Sequence, residues 1–146
     1  MITLTADYCE ALKRKHREVI EAEGRISGPI DVVVQIVTCY HKKIPMAVAS
    51  SGWRDHVISG LTRVGIIDYF DAIVTADEKE VARPKPAPDI FLEAAKRLKV
   101  DPTKCVGFED ADMGMQSIKS SGFLYACDVR LLHDYPRNVE NRIINE

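Results

Sequence analysis

The sequence predicts an α/β fold, a doubly wound parallel sheet, and three observations carry that expectation. Apolar runs of strand length recur at 44–50, 70–76, 104–109 and 123–129. Between them lie longer stretches whose apolar residues recur at helical spacing. Glycine, proline and serine clusters punctuate the junctions. Alternation of this kind indicates βαβ units, in which parallel strands are covered by helices on both faces.

The elements follow in order. Residues 5–23, "TADYCEALKRKHREVIEAE", read as a helix capped by Thr5 and stopped at Gly24. Cys9, Leu12, Val19 and Ile20 give it a narrow apolar stripe, and the basic residues at 13–17 give it a wet face. "SGPIDVVVQIVTCYHKK" (27–43) reads as a second helix with Pro29 in its first turn, although its valine run is also compatible with a strand. "IPMAVAS" (44–50) is a short buried strand. "WRDHVISGLTRVG" (53–65) is a helix with a stripe of Val57, Ile58, Leu61 and Val64, ending at Gly65. "FDAIVTA" (70–76) is the next strand, and the loop "DEKEVARPKPAP" leads into the helix "DIFLEAAKRLKV". "KCVGFE" is a third strand, "DMGMQSIKSSG" a third helix of the alternating region, and "FLYACDV" a fourth strand. The polar segment from 133 to 146 reads as a surface extension. The expected organisation is therefore a helical segment at 1–26, an α/β core at 27–132 and a C-terminal extension at 133–146.

Size and composition exclude several classes. A chain of 146 residues is one domain, long enough to bury a core. The net charge of −2 gives no basic field for nucleic acid or an anionic membrane. Cys9, Cys39, Cys105 and Cys127 are far apart and form no CxxC pair, which argues against a disulfide framework and fits a reducing cytoplasm. No apolar run approaches a membrane span, and the first residues lack the apolar stretch of a signal peptide. His16, His41, His56 and His133 have no metal-ligand spacing.

In parallel sheets the chemistry collects at the carboxyl ends of the strands. Three groups fall there. Ser50, Ser51 and Gly52 follow the first strand and precede a helix, where a hydroxyl beside free N–H groups can seat a phosphate oxygen; the alternative is a plain serine cap. Lys85 stands between Pro84 and Pro86, so a stiff backbone presents its charge. Such a point charge can pair with a carboxylate or neutralise phosphoryl oxygens. Glu109, Asp110 and Asp112 end the third strand in "CVGFEDADMG", where oxygen ligands can hold a hard divalent cation or an aspartate can cap a helix. Together the hydroxyl, the lysine and the acids suggest phosphate, Mg²⁺ and phosphoryl transfer. Arg54, just past the serine loop, could touch a substrate or simply lie on the helix surface. No GxGxxG follows any strand, which disfavours a dinucleotide site.

The order "MAVASSG", "KPAPDIF", "VGFEDADMGMQSIKSSG" resembles the haloacid dehalogenase superfamily, and within it the β-phosphoglucomutase-like sugar-phosphate phosphatases. The tail "CDVRLL" with "FEDADMG" is similar to bacterial fructose-1-phosphate phosphatases. The resemblance covers roughly residues 27–132 and implies a HAD-like, Rossmann-like core. It also implies roles. Ser50 would be the phosphate-binding hydroxyl, with Ser51 and Gly52 helping to cradle the phosphate. Lys85 would balance the charge of the nucleophile and the phosphoryl group. Asp110 would be the direct Mg²⁺ ligand, with Glu109 supporting it. The substrate would be a small phosphorylated sugar.

The resemblance equally marks what is missing. Members open with a strand ending in DxDG, whose first aspartate forms an aspartyl phosphate. Here no such motif precedes Ser50, and the single Asp-x-Asp, Asp110-Ala111-Asp112, comes after both the serine and the lysine. The chain thus looks like the C-terminal part of a member, with 5–23 resembling the last helix of a cap. The missing strand would lie between those ending at Ser50 and Glu109, leaving a gap with unpaired backbone. A chain so cut is expected to be marginal, to recruit a partner strand, or to self-associate through the gap. The reading is a Mg²⁺-dependent phosphatase of small sugar phosphates that lacks its nucleophile. The alternatives are a non-catalytic fragment and a phosphomutase.

Overall fold

The computed structural model describes residues 28–136, together with 11, 12, 15, 19 and 22. Those five positions are helical, in agreement with the helix expected over 5–23. Leu12 and Val19, placed on its apolar stripe, are nearly half exposed. Cys9 and Ile20 lie outside the described residues.

Helix α1 spans Asp31–Tyr40. The valine run resolves as helix because residues 32, 33, 36 and 37 are half-buried while 31, 35 and 38 are exposed, a helical period. Pro29 sits before the Ile30 cap rather than in the first turn as expected. At the far end His41 stacks on Tyr69 at 4.1 Å, fixing α1 to the 3₁₀ turn Ile67–Tyr69. His41 is therefore a packing residue.

The alternation then runs as read. Strand β1 is Ala47–Ser50, helix α2 Arg54–Val64, strand β2 Ala72–Thr75 and helix α3 Asp89–Leu98. Strand β3 is Val106–Glu109, helix α4 Asp112–Ser120 and strand β4 Tyr125–Asp128. Helix α2 stops where Gly65 turns left-handed at φ 76°, a conformation that costs glycine nothing. Helix α3 ends the same way on Lys99 at φ 57°.

The sheet is interrupted where the missing strand was expected: it forms two parallel pairs, β1 with β2 and β3 with β4. Among the described residues no strand stands between β1 and β3, so the two pairs do not join. The expected gap is there, and its backbone edges lack a ladder partner.

One layer of helix holds the pairs together. Helix α3 packs on β1 and β2, and α4 on β3 and β4. The core gathers Val74, Val81, Ile90, Phe91, Ala94 and Ile118. Ser117 Oγ donates to Ala87 O at 2.6 Å, tying α4 to the start of α3, and Phe91 meets Phe123 edge to face at 5.8 Å. Gly107 lets Ile118 close on β3, since a Cβ there would stand 2.7 Å from Ile118 Cδ1.

Cover on both faces, as expected for a doubly wound sheet, is not complete over the second pair. Val106 and Phe108 are 45% exposed and Tyr125 63% exposed, on the side opposite Gly107 and Ile118. Beyond β4, a 3₁₀ turn over Val129–Leu131 leads to Tyr135, which is buried, so the expected polar extension packs at its third residue.

Candidate active site at the carboxyl ends of the strands

Each strand end delivers one component. At β1, Gly52 N donates to Ser50 Oγ at 3.1 Å, which curls the chain tightly before the extended Trp53 and the start of α2. A Cβ at Gly52 would stand 3.3 Å from that hydroxyl, so glycine lets the loop pass close to it. Ser51 is exposed beside it.

Lys85 comes from the proline-flanked loop, where the Lys85–Pro86 peptide is cis. It is not a solvated surface charge. Its ammonium donates to Glu109 Oε2 at 2.6 Å and to Ala49 O at 3.4 Å, and it lies 4.8 Å from the centre of the Phe91 ring. Both side chains of the Lys85–Glu109 pair are nearly buried, at 13% and 12% exposure. Ser50 N–H and C=O face β2, as the bond from Ala76 N to Ser50 O shows. By alternation Ala49 O therefore points to the unpaired edge of β1. Lys85 spans from that edge to the end of β3.

Glu109 is fully engaged. Its Oε1 accepts from Asp110 N at 3.1 Å and Ala111 N at 3.2 Å, while Oε2 takes Lys85. Gly114 makes room for it, because a Cβ there would fall 2.1 Å from the carboxylate carbon. Burial pushes the Glu109 carboxyl up, but the Lys85 bond and charge and the hydrogen bonding from Asp110 outweigh it, leaving the group below its ordinary value. Asp110, one residue on, is exposed.

Asp112, grouped from sequence with the acids that could hold a cation or cap a helix, opens α4 and pairs with Arg130 NH2 at 2.8 Å. Arg54, read as either a substrate contact or a helix-surface residue, is exposed at the start of α2. It donates to Glu78 at 3.0 Å and to Ile73 O at 3.2 Å, and Arg97 donates to the same two groups. Thr75 N donates to Glu78 Oε1 at 2.9 Å. The outer edge of β2 is thus capped by these side chains, while the inner edge of β1 takes the Lys85 ammonium at Ala49 O. A cavity of about 520 Å³ opens at that capped edge, between Arg54, Phe70, Ile73 and Arg97, away from Lys85.

Sequence reasoning passed over Glu78, Asp128 and Arg130. The Asp-x-Arg of "CDVRLL" was the available signal for the last two: Arg130 folds back on Asp128.

Mg²⁺ takes hard oxygen ligands, commonly one or two carboxylates beside water and substrate oxygens. Hard oxygen ligands are present, with Asp110 open to solvent beside the occupied Glu109. No three candidate ligands converge among the described residues. The exposed Asp110 carboxylate is the kind of single donor that Mg²⁺ takes when it keeps several of its waters.

Against known proteins, the sequence matches the family model described as haloacid dehalogenase-like hydrolase over residues 3–127. The chain belongs to that family. It is 45% identical over 122 residues to fructose-1-phosphate phosphatase YqaB of Escherichia coli (strain K12), covering 84% of this chain and 63% of that protein. It is 39% identical over 121 residues to β-phosphoglucomutase of Bacillus subtilis (strain 168), covering 80% and 51%. Among solved structures, β-phosphoglucomutase from Clostridium difficile superposes with a TM-score of 0.69 at 23% identity, covering 98% of this chain and 71% of that one. At that identity the likeness concerns the fold alone. The haloacid dehalogenase chain described here thus spans between half and two thirds of these curated relatives.

Proposed function

We propose that these residues form the phosphate- and metal-binding half of a Mg²⁺-dependent phosphomonoester hydrolase acting on small sugar phosphates. The observation that carries this reading is the Lys85 ammonium, held between Glu109 and the β1 edge at the end where Ser50 and Asp110 also lie. Ser50 Oγ and the N–H groups of Ser51 and Gly52 would receive phosphate oxygens. Lys85 would offset their charge, and Asp110 would hold the cation, with Glu109 keeping both in place. Bound Mg²⁺ would supply charge neutralisation at the phosphoryl oxygens. The attacking carboxylate is expected from a strand outside these 146 residues, since the sequence has no Asp-x-Asp ahead of Ser50. That same fact favours the second reading, a chain that binds phosphate and Mg²⁺ without turnover. The free Cys39, Cys105 and Cys127 accord with a cytoplasmic setting.

The test is an assay with p-nitrophenyl phosphate and fructose 1-phosphate in Mg²⁺, alongside inorganic phosphate and Mg²⁺ titrations. The expected result is weak binding of both ions, lost for Mg²⁺ in Asp110→Ala, and no turnover by the 146-residue chain. Turnover that Asp110→Ala abolishes would overturn the need for an outside nucleophile. Absence of any Mg²⁺ or phosphate binding would overturn the site.

A further inference from the structure

Arg130 plays no part in that reading, yet it braces the turn that carries Asp110. Its Nε and NH2 form a fork on Asp128, at 2.8 and 2.6 Å, and its backbone N–H donates to the same carboxylate at 3.0 Å. NH2 also donates to Asp112 Oδ1 at 2.8 Å. Asp128 ends β4 in register with Glu109, which ends β3, and Asp112 opens α4. Between Glu109 and Asp112 lie only Asp110 and Ala111. One end of this turn is pinned by Glu109 Oε1, which accepts both their N–H groups. The other end is pinned through Asp112 to Arg130 and the end of β4.

We propose that Arg130 is a positioning residue for Asp110: through Asp112 it holds the Asp110–Ala111 turn so that the exposed carboxylate presents to a divalent cation. The proposal rests on Asp110 being the cation's ligand. Geometry selects arginine, because a planar guanidinium holds one carboxylate two-pronged and reaches a second, which an ammonium cannot do with the same fixity. Two modes of action give opposite signs. As a nearby positive charge alone, Arg130 would repel a cation, so removing it would tighten binding. As a brace, it aids binding, so removing it weakens binding.

The experiment uses the full 146-residue chain. Mg²⁺ is titrated against the amide shifts of Asp110 and Ala111, and amide hydrogen exchange at those positions is measured without metal. Circular dichroism confirms that each variant is folded. The expected result is a loss of about tenfold in Mg²⁺ affinity in Arg130→Lys and Arg130→Gln, as for other residues that orient metal ligands. Faster exchange at Ala111 should accompany it. Asp112→Asn, whose altered side chain is exposed, should reproduce both effects if Arg130→Gln fails to fold. Wild-type affinity in Arg130→Lys, or tighter binding in Arg130→Gln, would overturn the proposal. If the wild-type chain shows no Mg²⁺ response, the reading of Asp110 fails. The brace is then judged by exchange alone, and unchanged exchange in Arg130→Gln overturns it as well.

Discussion

Lys85 and Glu109 show how much one pair of side chains holds in this molecule. Both are nearly buried, so removing one leaves the other charged and without compensation. Lys85→Met is expected to destabilise the chain by about 3 kcal/mol, the low end for a broken buried pair because both side chains keep some exposure, measured by urea unfolding at neutral pH. The pH dependence follows from the Glu109 carboxyl, which burial raises and the Lys85 bond lowers more strongly, for a net decrease. A folded-state value below the unfolded one gives stability that is complete above about pH 4.3, the ordinary glutamate value, and is lost as pH falls through the folded value. Wild-type stability should therefore fall with acidification below that point. Lys85→Met should fall less steeply, because its Glu109 is no longer held low. Equal slopes in the two proteins would contradict the assignment. The sequence offered Lys85 and Glu109 as separate candidates. That they hold each other was not legible, because 24 residues separate them and only the closure of α3 and α4 brings them together.

Glycines separate constraint from freedom within the elements. In α4, a Cβ at Gly114 would fall 2.1 Å from the Glu109 carboxylate carbon. Gly114→Ala should cost about 1–3 kcal/mol by overpacking and should disturb the Lys85 contact. In α2, a Cβ at Gly60 meets nothing within 4 Å, and its helix needs no glycine there. Gly60→Ala should stabilise by about 0.5–1 kcal/mol. Paired thermal melts check both, and a stabilising Gly114→Ala would show that the helix relaxes away from Glu109. The helices and strands themselves were legible from apolar period and punctuation, down to the glycine stop of α2. The valine run of α1 was ambiguous from sequence, since β-branched residues suit strands and only the pattern of burial chose helix.

At the scale of the whole molecule, two strand pairs share one helical layer and leave an apolar face over Val106, Phe108 and Tyr125 open to solvent. Exposed surface of this kind tends to associate. Changing Phe108 and Tyr125 to serine should lower the binding of an apolar fluorescent dye such as ANS, because both rings present apolar surface to solvent. Dye binding equal to that of the wild type would contradict the exposure of this face. The sequence by itself determined the α/β alternation, the family, and which residues collect at the strand ends, because those follow from local periodicity and from motifs read along the chain. Only the tertiary structure decided that Lys85 bridges the two strand pairs, that Glu109 is engaged rather than open, and that Arg130 ties Asp128 to Asp112 beside that turn. Those outcomes depend on which distant backbones and charges come within bonding distance, and no spacing along a chain encodes that distance.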